Sequence, residues 1–600
     1  MGVVRGWMTA PIKRSECRHS RGKGFCSARW CALAAAAAIA AWLPFGASAL
    51  AQNVPSPSQV APPIIEPPTG GGHIAIPQVP AGAQIPAQAK KLSFELTGFT
   101  ITGEFDEFVD ERKDLAAPLV GKTITVAQVF EFADQLQQIY AKAGYPLVRV
   151  VLLPQEFEGS ARIKLRVIDG FVERLDLTAL PWQVQHRVAA VLAPLQNRTH
   201  LRQGDLERQL LIAGEAPGLV LNATFAPGKQ VGGSVLVLTG RYRPVSMSLY
   251  MDNDMPVVFG TGQGVVSGST NSWLGLGEQL TVQVAGLPDR DFISEFPTRR
   301  YLGGTFSVPI GIDGWKFEVG GTDGITTPRV DPTTGTKGVY DEGYAKLSYE
   351  LFKRRDYELT LNERLDAANE TIESLLFMPP APLSEDRVRA LRTGADGIWR
   401  LREYGTTITY GANFSRGLDA LGARTINDAS PLLPLSRQGA DAVFQKLDGH
   451  LEIDQALEHD FFVNFYAAGQ DSFHRAMLTS EQYDIDGAKL LSGFTAGALP
   501  GDTAWMVRGE FGRSFTGPIG NVVWMPYLFE ATGERILEDP TSLEIASVHA
   551  TDYGAGVRFN LPPPTAWMPS GYGFVEASHR YTNETTLSGD RIFAGLLLQY

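Results

Sequence analysis

Few residue patterns in this 600-residue chain have the spacing that chemistry needs. Ala116-x4-Gly121-Lys122-Thr123 fits a relaxed phosphate loop. Such a loop must join a strand to a helix and leave its backbone N–H groups free to cradle phosphate. Here Phe105 to Leu119 is helically amphipathic, and Pro118 falls inside the would-be loop. The segment therefore reads as a turn between two helices, with Thr123 or Thr125 capping the second. His73, His186, His200, His450, His459, His474, His549 and His579 form no H-x-x-x-H pair, so zinc would lack a local chelating unit. No G-x-S-x-G is present, which argues against an acyl-hydrolase elbow. The acid pair Asp252/Asp254 reads as polar wall or strand end rather than as a glycosidase site. No cofactor and no enzymatic activity are expected.

Composition sets wider bounds. Cys17, Cys26 and Cys31 all lie near the N-terminus, so neither a disulfide framework nor a cysteine-ligated metal site is available to the body of the chain. Arg5, Lys13, Arg14, Arg18, Arg21, Lys23 and Arg29 precede the apolar run Ala32 to Phe45. Ala49-Leu50-Ala51 then has the form of a signal-peptidase site, with cleavage expected between Ala51 and Gln52. Of 53 bases and 65 acids, the removed part would take seven and one, leaving a net charge of -18, which argues against nucleic-acid binding. Residues 52–91 read as an extended, flexible Pro-rich linker, with nine prolines and Gly70-Gly71-Gly72.

Two small α/β units are expected over 92–170 and 171–240. In the first, Phe94 to Ile101 alternates like a strand, and Val126, Val129, Phe130, Ala133, Leu136, Ile139 and Tyr140 recur at helical spacing. Gly144 stops that helix. Pro146 to Leu153 and Ala161 to Ile168 read as strands around a turn at Glu158-Gly159, giving β-α-α-β-β. The second unit repeats this order with strands at Val172 to Leu177, Leu219 to Phe225 and Ser234 to Leu238, and helices at Val184 to Leu192 and Asp205 to Ala213.

Residues 241–600 alternate with period two. Trp315, Phe317 and Val319 interleave with Lys316 and Glu318; Tyr357, Leu359 and Leu361 interleave with Glu358, Thr360 and Asn362. The last run places Ile592, Ala594, Leu596, Leu598 and Tyr600 on one face. The leader, the cysteine-free body and the terminal aromatic favour a transmembrane antiparallel barrel, with the apolar face toward lipid and charges in a wet lumen. Sixteen strands would each have 22.5 residues with their connection, ample for the ~9–11 that cross a bilayer.

Tyr140-x3-Gly144-Tyr145-Pro146, Val150-Val151-Leu152-Leu153-Pro154-Gln155 and Val167-Ile168-Asp169-Gly170 resemble the first POTRA domain of two-partner secretion transporters, the haemolysin and filamentous-haemagglutinin secretion proteins. Leu206-Glu207-Arg208-Gln209-Leu210-Leu211, Ala216-Pro217-Gly218 and Ala226-Pro227-Gly228 resemble their second. Leu274-Gly275-Leu276-Gly277-Glu278-Gln279-Leu280 resembles their early barrel hairpin. The resemblance implies two periplasmic POTRA domains and a 16-stranded barrel in the outer membrane of a Gram-negative bacterium. It implies export, without ATP, of a large, unfolded β-helical exoprotein. Further partners would be the barrel assembly machinery, reading the terminal Tyr600, and outer-membrane lipid.

The family's loop motif, Val-Arg-Gly-Tyr/Phe, is altered here. Val507-Arg508-Gly509 has its form, but Ser480-Glu481-Gln482-Tyr483-x3-Gly487 upstream and Leu499-Pro500-Gly501-Asp502-x2-Trp505 downstream place the tetrad at Leu491-Ser492-Gly493-Phe494. Ser492 then stands for the family arginine. The family's partner motif, Phe-x-Asp-x-Gly, aligns with Phe529-Glu530-Ala531-Thr532-Gly533, so Ala531 stands for its aspartate. With both partners gone, the expectation is a loop held by packing of Phe494, with Arg508 merely on the following strand. The same prolines argue against the N-terminal plug helix that many family members carry. A barrel assembly factor, a passive porin or adhesin, and an outer-membrane lipase are the competing functions. The first usually carries more than two POTRA units, the second has no need of them, and the third needs a catalytic set not found.

Overall fold

The computed structural model describes residues 54–62, 65, 85–156, 159–286, 291–329, 335–377, 379–517, 521–563 and 569–600. The leader with its Ala51/Gln52 cleavage site, most of the Pro-rich stretch and Glu158 of the expected turn lie outside the described residues.

The first α/β unit follows the alternation of its strands. Ser93–Thr102 turns Phe94, Leu96 and Phe99 to one side, and Ser160–Ile168 pairs parallel to it, adding Ile163, Leu165 and Val167. The helix Val126–Lys142 lays Val129, Phe132, Leu136 and Tyr140 over that face, with Phe99 and Phe132 stacked at 4.0 Å. Thr125 caps this helix in a reciprocal box with Gln128. The Gly121-Lys122-Thr123 stretch leads into the short strand Thr123–Thr125, between two helices, and its Gly121 and Lys122 N–H groups donate to the Leu96 and Leu119 carbonyls. That strand was not legible in the pattern. It extends the sheet on one edge while Arg149–Leu152, shorter than the expected Pro146–Leu153 run, ends it on the other.

The second unit has a three-stranded sheet ordered Phe171–Asp176, Gly233–Tyr242, Leu219–Pro227, backed by helices Trp182–Leu192 and Gln203–Gly214. The Gln203–Gly214 helix rests on the barrel rim. Arg208 donates to the backbone oxygens of Asp313 (2.8 Å) and Glu350 (2.7 Å), and Glu207 pairs with Arg355 at 3.1 Å.

Sixteen antiparallel strands, from Val245–Asp252 to Gly589–Gln599, close into a barrel; Phe515–Thr516 continues one of them past a break. Closure joins the last strand to the first over Gly595↔Asp252 to Gln599↔Ser248, and Tyr600 completes it by exchanging backbone hydrogen bonds with Met247. Along each wall the apolar set faces outward: Trp315, Val319, Leu347, Leu361, Leu365, Trp399 and Phe414 are exposed. The alternate set faces the lumen, where Asp366, Glu370, Asp386, Glu510, Asp552 and Glu576 are buried.

Candidate functional site

Among the described residues, two pieces of chain fill the lumen. The first is residues 54–62, expected to be free linker. Prolines there forbid an α-helix, and only a 3-10 turn forms at Ser58–Val60. The absence of a helix does not leave the lumen empty. A proline-rich chain has few N–H groups to satisfy, and the wall supplies donors for its carbonyls. The Tyr301 hydroxyl donates to the Pro57 carbonyl at 2.5 Å, and Arg299 grips the Val60 carbonyl at 2.9 and 2.6 Å. Ser58 donates to Glu370 from both N–H and hydroxyl at 3.0 Å. Val60 is buried with Met255, Phe259, Val265, Ala285 and Tyr301. Removing residues 54–62 should raise single-channel conductance in planar bilayers; unchanged conductance would show that this stretch does not obstruct the pore.

The second piece is the loop between Phe461–Asp471 and Thr503–Arg513. At its start, Glu481 joins a chain of alternating charge across the wall. Arg364 pairs with Glu342 (2.5 Å) and Asp366 (2.6 Å), Asp366 with Arg392 (2.8 Å), and Glu481 with Arg392 (2.7 Å) and Lys446 (2.8 Å). Burial pushes the Glu481 carboxyl up, but Arg392 and Lys446 outweigh it and hold it at about 2. A depressed carboxyl stabilises above its unfolded value of about 4.3 and loses that contribution as pH falls through the folded value. The Glu481 contribution to the loop's anchorage should therefore be constant from pH 7 to about pH 5 and weaken between about pH 4 and 2, read as the difference between the protease-accessibility curves of wild type and Glu481→Gln. At its end, Asp502 is fully buried and accepts from Arg437, from Met477 N–H (3.1 Å), from Gln482 (3.1 Å) and from Glu538 N–H (2.7 Å). Three loops at the far mouth are thereby tied to one carboxylate.

The apex carries the sequence-predicted tetrad, and the structure brings it against the wall. Leu491 and Phe494 are both fully buried, packed with Ile485, Leu499, Met506, Ala531 and Val548. The expectation of packing alone is incomplete, however, because the apex is also held by charge. The Ser492 hydroxyl donates to Glu576 at 2.5 Å, and the Gly493 N–H donates to Asp552 at 2.5 Å. Arg580 donates to the Gly493 carbonyl at 2.6 Å and Arg591 to the Ser492 carbonyl at 2.9 Å; Arg591 also grips the Phe494 carbonyl. Asp254, of the acid pair noted in the sequence, orients Arg591 at 2.9 Å.

Arg508 is the residue the sequence reading undervalued. It does lie on the strand after the loop, but it is 1% exposed and points back at the apex. Its guanidinium donates to the Ser492 hydroxyl (2.9 Å), the Leu490 carbonyl (3.1 Å), Glu576 (2.8 Å) and Glu510 (2.8 Å). Glu510 in turn takes a two-point contact from Arg558 at 2.6 and 2.7 Å, so two arginines and two glutamates balance in the dry wall.

The strand Val523–Ile536 carries the three wall positions expected to seat the tetrad. Phe529, Ala531 and Gly533 all face inward. The Phe529 ring lies 3.9 Å beneath the Arg508 guanidinium. Gly533 lets the neighbouring strand approach, since a Cβ there would lie 2.5 Å from the Trp505 carbonyl oxygen. Ala531 is paired with Arg508 on one side and Asp552 on the other, all on one rung. Asp552 supplies an acid one strand away, and Ala531 is the small residue between cation and anion. Glu530, as its parity requires, is exposed on the outer surface. Asp552, Glu576, Arg580 and Arg591 were missed by sequence reasoning. Their inward parity was readable, but the apex they face lies 60 to 99 residues away.

The profile described as POTRA domain, ShlB-type, matches residues 94–170. That of haemolysin secretion/activation protein ShlB/FhaC/HecB matches residues 232–533. The heme/hemopexin transporter protein HuxB of Haemophilus influenzae strain 86-028NP is 20% identical over 487 residues, spanning 78% of this chain and 82% of that protein. Among solved structures, CdiB from Escherichia coli has a TM-score of 0.63 at 18% identity, covering 87% of this chain and 94% of CdiB. CdiB from Acinetobacter baumannii has 0.55 at 14%, with 84% and 89% covered. Closed barrel, α/β units and matched profiles together place this chain in the haemolysin secretion/activation family, the outer-membrane transporters of two-partner secretion that export a partner protein.

Proposed function

We propose that the exported partner is a large β-helical exoprotein that arrives unfolded in the periplasm and passes through the barrel, past a lumenal loop held against the wall, once residues 54–62 give way. The α/β units, the second read as a further POTRA domain, lie on the periplasmic side and take the cargo first. The observation that carries this reading is a lumen filled by separate, hydrogen-bonded chain segments directly beyond two sheets, the second of which ends on Leu219–Pro227 with no further strand paired to it among the described residues. An extended cargo strand can add to such an edge through backbone hydrogen bonds, which need no fixed sequence. No nucleotide is required, since folding of the cargo outside can supply direction. During biogenesis, the terminal strand ending at Tyr600 is read by the barrel assembly machinery. The residues Leu491 to Phe494 act as the lumenal latch, with Phe529, Ala531 and Gly533 as its seat. Deleting 92–170 tests the reading: the partner should accumulate in the periplasm while the barrel keeps its heat-modifiable gel mobility. Undiminished secretion would refute the role assigned to this unit.

A further inference from the structure

The outer wall carries a compact basic patch that the transport reading does not use. Ala381–Leu401 is the longest strand of the barrel. Asp386, Val388 and Ala390 face the lumen, buried, so Arg387 and Arg389 face outward. Arg416 faces outward on the neighbouring strand Thr406–Gly417, paired with Leu391 and therefore diagonal to Arg389. Residues two apart on a strand, or diagonal across strands, stand about 7 Å apart, and Arg387 and Arg416, offset by four residues, stand about 14 Å apart, so the three guanidiniums line a strip about as wide as a headgroup with two phosphates.

Their height on the wall is set by the strand. Trp399 lies ten residues from Arg389 on the same outward face. That is about 33 Å along the strand and about 25 Å across the membrane at the usual tilt, the full height of a barrel's apolar band. Leu391, Leu365, Phe414 and Leu447 fill the band directly below the arginines, each 38–46% exposed. The patch thus sits where acyl chains end and headgroups begin. It is bounded by outward-facing Asp341 on one side and Asp471 on the other.

The patch is partly braced and partly open. Arg389 is laid against the wall by the Leu421 carbonyl (3.0 Å), the Ala368 and Val388 carbonyls (3.1 and 2.7 Å) and Asn369 (3.1 Å). Arg387 leans on Glu385 at 2.6 Å with half its side chain exposed. Arg416 is exposed and has no acceptor among the described residues. Glu385 is the one acid in contact with these three cations among the described residues, and guanidinium matches phosphate by two-point contact.

We propose that Arg387, Arg389 and Arg416 bind the phosphorylated headgroup of an outer-leaflet glycolipid, whose acyl chains lie on Leu391, Leu365 and Phe414. The inference rests on the reading that the α/β units are periplasmic, which puts this patch in the outer leaflet. The test uses the full chain, purified in detergent and stripped of lipid, with bound lipid counted by native mass spectrometry. The probes are bisphosphorylated lipid A, the same lipid after dephosphorylation, and inorganic phosphate. Wild type should retain the phosphorylated form about tenfold better than the dephosphorylated form, the scale of one charge-assisted contact. R387Q/R389Q/R416Q should lose that preference and keep its heat-modifiable mobility. R416Q, which removes no described contact, should lose at least threefold. R513Q, an outward arginine at the opposite end of the wall, should bind like wild type. Equal retention of both lipids, an unaffected triple variant, or full displacement by inorganic phosphate would overturn the proposal. If R513Q rather than the triple variant lost binding, the glycolipid would meet the other rim, and the assumed orientation of the barrel would be the part at fault.

Discussion

Arg508→Gln should stop export of the partner protein while leaving barrel in the membrane. The substitution removes one cation from a wall in which Glu576 and Glu510 are both buried. Glu510 keeps Arg558, but Glu576 keeps only hydroxyl donors, Ser492 and Tyr527. Breaking a buried pair by removing one partner costs about 3–5 kcal/mol, because a charge is left without compensation. The cost falls on the latched state: Arg508 binds the loop at two points, the Ser492 hydroxyl and the Leu490 carbonyl. Protease sensitivity of residues 485–499 in intact cells and secretion of the partner are the two readouts. Adding Glu576→Gln to Arg508→Gln should restore part of both, since the lone carboxylate is gone. If Arg508→Gln secreted normally with a protected loop, the guanidinium would be no part of the latch.

How much of this could be read beforehand differs by scale. Period-two alternation is a local property, so the barrel strands around Trp315, Tyr357 and Ile592 stood out in the chain, as did the helix that Thr125 caps. The tetrad was placed by its flanks, Glu481 and Asp502, both of which turn out to anchor the loop. What the chain hid was register. Asp552 meets Gly493 only because Ala531 lies between Asp552 and Arg508 on one rung, and no local pattern states which strands share a rung. The same blindness made Ser492 and Ala531 look like two losses. In the folded barrel the wall supplies a cation, Arg508, against Ser492 and an anion, Asp552, beside Ala531. The Pro-rich stretch misled for a different reason: prolines speak against a helix, and say nothing against an extended chain whose carbonyls Arg299 and Tyr301 can reach.

Gly493→Ala should be nearly as damaging as the loss of Arg508, although it removes no charge. A Cβ on Gly493 would lie 2.6 Å from one Asp552 oxygen and 2.8 Å from its carboxyl carbon. That carboxylate is the acceptor for the Gly493 N–H, so relieving the clash means breaking the bond that holds the apex. Backbone conformation is not the issue, as Gly493 is not among the residues with positive φ. Overpacking of this kind costs about 1–3 kcal/mol, and an orphaned buried carboxylate adds to it. Secretion should fall at least tenfold, and shrinking the acid in Gly493→Ala/Asp552→Ser should recover part of it. Undiminished export by Gly493→Ala would mean that the wall gives way here at little cost.

The wall arginines Arg580 and Arg591 grip the apex by its carbonyl oxygens, and Asp552 grips it by an N–H. Main-chain atoms are the same in every residue. A latch that reads them fixes the path of the main chain at Ser492, Gly493 and Phe494, in addition to the side-chain contacts of Leu491, Ser492 and Phe494. Asp552, Arg580 and Arg591 stand on three successive strands, so the apex can seat only on a wall already closed in register.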